Sequence, residues 1–91
     1  MRLMYINGEF IKGNATQEIE VTNPATEEVL DTVPRGTAAD VESAVRSSKE
    51  AFGSWRKMGA NERTRLVHEV ATKIRNYREE IVHLLTLEQG K

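Results

Sequence analysis

At alternating intervals of four and three residues, Val41, Val45, Ser48, Phe52 and Trp55 fall on one side of a helix, with Ala44 and Ala51 beside them. The same rhythm returns in Val67, Val70, Ile74, Tyr77, Ile81 and Leu84, reinforced by Leu66, Ala71, Leu85 and Leu87. Helix faces this wide must be buried against something. The rest of the chain offers little to bury them. The first third is short, polar-alternating and strand-like, so at least one stripe is expected to cover something larger than a small sheet.

The pattern predicts a β-ribbon over 1–35, a helix over 37–58 and a helix over 60–89, an α+β class with the two helices forming a hairpin. In the ribbon, Asn7-Gly8 separates Met4-Tyr5-Ile6 from Glu9-Phe10-Ile11 and suits a two-residue type I′ turn, whose central positions both need positive φ. Glu18-Ile19-Glu20-Val21 and Glu28 to Val33 alternate polar with apolar, and Asn23-Pro24 between them signals a turn. One small antiparallel sheet of three or four strands is the expected result. Thr37 opens the first helix, with Asp40 three residues on to complete a capping box. Gly59 is expected to close that helix, and no proline interrupts the next.

Composition removes several function classes. Thirteen Lys and Arg against fourteen Asp and Glu give a net charge of −1 over 91 residues, with no basic patch for nucleic acid. No apolar run is long enough to span a bilayer. The absence of cysteine leaves no disulfide framework and makes the cytoplasm the expected compartment. His68 and His83 stand fifteen residues apart on one helix, about 22 Å along its axis, too far to share a metal.

The motifs Tyr5-Ile6-Asn7-Gly8-Glu9-Phe10, Asn23-Pro24-Ala25-Thr26, Val33-Pro34, Ala51-Phe52, Trp55, Glu62-Arg63 and Leu87-Glu88-Gln89-Gly90-Lys91 occur in one order along the chain. In that order and spacing they resemble the opening stretch of the NAD(P)-dependent aldehyde dehydrogenases. The resemblance implies that residues 1–91 are the N-terminal segment of a coenzyme-binding domain in an α/β parent fold. It implies an oxidoreductase that converts an aldehyde to a carboxylate with NAD or NADP. In that family a cysteine thiolate adds to the carbonyl, hydride leaves to the nicotinamide, and an activated water hydrolyses the thioester.

None of those catalytic groups falls within this sequence, and no Gly-x-Gly-x-x-Gly cradle appears. The resemblance therefore assigns no catalytic and no dinucleotide-binding residue to positions 1–91, and the chain alone is expected to be inactive and to bind no cofactor. It does imply a monovalent-cation site, with the Glu88 carboxylate and the backbone carbonyls of Val21 and Thr22 as oxygen ligands. The simpler reading pairs Glu88 with Lys91 or leaves it in water, although a carboxylate in the last helical turn faces the negative end of the helix dipole.

The expected partners are the remainder of such a subunit and, through the exposed apolar helix faces, a second copy in a homo-oligomer. No nucleic acid or membrane partner is expected. A competing reading makes the chain a free-standing helical-hairpin interaction module with no catalysis. Motif order separates the two, since such a module has no reason to carry Asn-Pro-Ala-Thr and Leu-Glu-x-Gly-Lys at these separations.

Overall fold

The computed structural model describes all residues 1–91 as an α+β chain of four strands followed by three helices. Strands β1 (Met4–Ile6) and β2 (Glu9–Ile11) pair antiparallel, with Tyr5 opposite Phe10 and their rings 4.9 Å apart. Asn7 and Gly8 take φ of 53° and 76°, the left-handed pair that a type I′ turn requires. Strands β3 (Glu18–Thr22) and β4 (Val29–Pro34) form a second antiparallel pair with an irregularity between Val21 and Thr22.

The strands do not join into one sheet as the sequence pattern suggests: β1–β2 and β3–β4 are separate two-stranded ribbons. Arg2 N–H donating to the Thr32 carbonyl at 2.8 Å ties the leading residues to β4. The loop after β2 is held elsewhere. Its Asn14 N–H donates to the Asp40 carboxylate at 2.8 Å, which draws the chain to the helical side before β3 begins.

Helix α1 (Ala38–Lys57) starts from a complete capping box. Asp40 N–H donates to the Thr37 hydroxyl, and Thr37 N–H donates back to the Asp40 carboxylate at 2.9 Å. The helix ends at Met58 in extended conformation, so Gly59 is the residue that starts α2 (Ala60–Asn76) rather than a left-handed cap on α1. The helix expected over 60–89 is two helices, α2 and α3 (Arg78–Gln89), divided at Tyr77 with φ −101° and ψ 15°. There Tyr77 N–H reaches the Ile74 carbonyl at 3.1 Å and the Lys73 carbonyl at 3.3 Å, a local 3₁₀ tightening that ends α2 without a proline. No helix is long and apolar enough to cross a membrane.

The helices do not form the expected hairpin. The substantial contacts are within each ribbon and between α1 and β1, whereas α1 and α2 share no packed face. The molecule measures 49 × 32 × 15 Å and has a radius of gyration of 16.8 Å. A compact chain of this length would have a radius near ~12 Å. Its accessible surface of 7649 Å² exceeds by about 2,200 Å² the ~5,400 Å² of a folded monomer of this mass.

Only Ala15, Asn23, Pro34 and Asp40 are buried, and none is a large apolar side chain. Both stripes lie open, with Phe52 58% and Ile74 57% exposed. A structure 15 Å thick is a single layer, whereas stable domains close a core between at least two.

Candidate functional site

The two motif segments furthest apart in sequence meet in space. Asn23 is buried, and its side-chain oxygen accepts from Ala25 N–H at 2.9 Å, fixing the Asn-Pro-Ala turn from within. Against that turn lies the end of α3. Gly90 N–H donates to the Leu87 carbonyl at 3.3 Å and Lys91 N–H to the Thr86 carbonyl at 3.0 Å, the two bonds of a Schellman cap. Gly90 is left-handed at φ 71°, and the hydrogen where a Cβ would stand faces Pro24 Cγ at 2.8 Å and Ala25 N at 2.9 Å. Only a glycine permits that approach.

This docking sets Glu88 near the β3–β4 ribbon. Val21, Leu30, Asp31 and Val33 from the ribbon, Leu84, Leu87 and Glu88 from α3, and Arg2 from the leading segment line one open cavity of about 400 Å³. Of the three residues implied as cation ligands, Val21 and Glu88 share this cavity and Thr22 is not among its lining residues. Glu88 is exposed and makes no ion pair with Lys91. Asp31 was not singled out from the sequence, because nothing in its local pattern marks it.

The Asp31 carboxylate is already engaged. It meets the N-terminal ammonium at 3.2 Å and Arg2 Nε at 3.1 Å. A backbone hydrogen bond from Thr32, followed by that of the N-terminus, holds its pKa below the usual carboxylate range. One carboxylate and backbone oxygen are therefore left facing the cavity, a hard-oxygen set suited to a singly charged ion. No cluster of three His, Cys, Asp or Glu side chains exists that could hold a transition metal. His68 and His83 lie in separate shallow depressions, His68 beside Trp55 and Arg63, His83 beside Arg78 and Glu79.

The residues present do not fit a dinucleotide. A pyrophosphate seeks a helix N-terminus with free N–H groups and no opposing charge. Each helix here opens on acid: Asp40 in α1, Glu62 in α2, Glu79 and Glu80 in α3. At α1 the Asp40 carboxylate also accepts from Thr37 N–H and Thr37 Oγ1, so the position an anion would take is filled by an anion of the protein's own. Those bonds, the Thr37 backbone donor first and then that of Asn14, lower the Asp40 pKa.

Known proteins place the chain in context. The aldehyde dehydrogenase family profile matches residues 10–91. The chain is similar to the malonate-semialdehyde dehydrogenase of Bacillus velezensis (strain DSM 23117 / BGSC 10A6 / LMG 26770 / FZB42). The two are 44% identical over 87 residues, which cover 96% of this chain and 18% of that protein. It is also similar to the malonate-semialdehyde dehydrogenase of Bacillus subtilis (strain 168), 39% identical over 87 residues with the same shares covered. The chain thus spans 18% of the length of these curated relatives.

Proposed function

The chain belongs to the aldehyde dehydrogenase family, and on that premise we propose that it forms the N-terminal segment of the coenzyme-binding domain of an NAD(P)-dependent aldehyde dehydrogenase. The observation that carries this reading is the single-layer architecture. About 2,200 Å² of surplus surface and two open helix stripes are what one layer of a larger α/β subunit presents before its second layer is added. The remainder of that subunit covers the α1 stripe of Val41, Val45, Phe52 and Trp55. Exposed helix faces left over support assembly into a homo-oligomer, and the cytoplasm is the compartment that a cysteine-free chain suits.

The substrate class is a short semialdehyde, on the strength of the relatives' malonate-semialdehyde activity. When bound, NAD(P)+ supplies the hydride acceptor. The residues of this chain neither hold it nor attack the aldehyde, since there is no cysteine to form the thiohemiacetal and every helix N-terminus is acidic. Their role is to wall the domain. Glu88, with the carbonyls of Val21 and Thr22, completes one side of a potassium or sodium site that fastens α3 to the β3–β4 ribbon.

Calorimetric titration of NAD+ into the purified 91-residue chain tests the division of labour. No heat of binding is expected into the millimolar range, and no NAD+ reduction with malonate semialdehyde. Micromolar NAD+ affinity, or turnover, would overturn the proposal.

A further inference from the structure

The α2–α3 stripe has a symmetry that the α1 stripe lacks. Val70, Ile74, Tyr77, Ile81 and Leu84 line one continuous open groove of about 400 Å³ across the break between the two helices. Their spacings of four, three, four and three place Tyr77 at the centre, with two apolar side chains on each side. Lys73 and Glu80 line the same groove. They stand seven residues apart, on the same flank of the helix and at opposite ends of the apolar row.

Charges so placed complement each other only under one operation. When two such helices pack antiparallel, the flank just before one core row meets the same flank of its partner. Lys73 of one copy then approaches Glu80 of the partner copy, and Glu80 approaches the partner's Lys73. A parallel pairing would instead set Lys73 near Lys73 and Glu80 near Glu80. The area is sufficient as well. Burying even half of the 2,200 Å² surplus on each copy removes about 2,200 Å² in total, at the lower bound of obligate homodimer interfaces.

We propose that the 91-residue chain binds a second copy of itself through the Val70–Leu84 groove. A two-fold axis passes close to Tyr77, and Lys73 and Glu80 pair across it. The contact is isologous, so it closes as a dimer and does not propagate. It does not depend on the aldehyde dehydrogenase reading, because it uses only the groove and its flanking charges.

Charge exchange tests it directly. Sedimentation equilibrium of the chain should show a dimer at micromolar concentration. Lys73→Glu alone or Glu80→Lys alone should each weaken the dimer by about tenfold or more, since two interface pairs turn from attractive to repulsive in each case. An equimolar mixture of the two variants should restore dimers, now containing one chain of each kind. As a second measurement, a spin label on a cysteine introduced by Arg78→Cys, unique in this chain, should report a single distance under ~25 Å within the wild-type-sequence dimer.

A chain that stays monomeric at 100-fold higher concentration overturns the proposal. So does a dimer whose affinity ignores both substitutions, which would put the contact on the α1 face. So does a label distance well beyond that range. Variants that stay helical and fail to pair on mixing overturn it too.

Discussion

Replacing Gly90 with alanine tests whether the end of α3 is held on the Asn-Pro-Ala turn. Two costs arise. At φ 71° an alanine pays for the left-handed conformation, roughly 1–2 kcal/mol. Its Cβ would also stand 2.8 Å from Pro24 Cγ and 2.9 Å from Ala25 N, closer than real Cβ contacts allow. Backbone is on one side of that contact, so relief requires α3 to move, an overpacking cost of roughly 1–3 kcal/mol. Together they predict roughly 2–5 kcal/mol of destabilisation. Gly8 supplies the control, because its φ is 76° yet nothing lies within 4 Å of its would-be Cβ. Gly8→Ala should carry the conformational cost alone, roughly 1–2 kcal/mol. Urea unfolding followed by far-ultraviolet circular dichroism, at one fixed protein concentration, reads the difference. If Gly90→Ala costs no more than Gly8→Ala, the α3 terminus does not dock on the turn and the shared Val21–Glu88 cavity loses its support.

The remaining predictions concern charge. The Asp40 pKa is depressed in the folded chain by the Thr37 and Asn14 donors, so its contribution to stability is present above the usual carboxylate range and is lost as pH falls through the folded value. Acid titration of the melting temperature should therefore show a decline that Asp40→Asn reduces, and identical acid profiles for the two chains would contradict the assignment. Exchanging choline for potassium should lower the melting temperature of the chain, and Glu88→Gln should remove that difference. A potassium effect undiminished by Glu88→Gln would take Glu88 out of the cation site.

How much could be seen in the sequence depended on how local each interaction is. Asn7-Gly8 announces its own turn because the conformational demand falls on those two residues. Thr37 and Asp40 announce the capping box because both partners lie within one helical turn. Asn14, 26 residues from Asp40, leaves no such trace, and this tie is what separates the first ribbon from the second. The break at Tyr77 also passed unseen. Neither proline nor glycine marks it, and the apolar rhythm runs across it without a change of phase. Val21 and Glu88 were brought together only by the family resemblance, since no pattern rule links a strand residue to a helix end 67 positions away. The acids that close the helix N-termini to phosphate were visible throughout. Their meaning depended on knowing where each helix starts.

All of these features rest on the molecule being one layer that needs another. The dependence of the melting temperature on protein concentration tests that claim most directly. Burial of the stripes between chains makes folding and association one equilibrium, so the account predicts a melting temperature that rises steadily with concentration. A sharp, cooperative transition at the same temperature from dilute to concentrated solution, with a monomer throughout, would show that a single 15 Å layer holds itself together and would contradict the account.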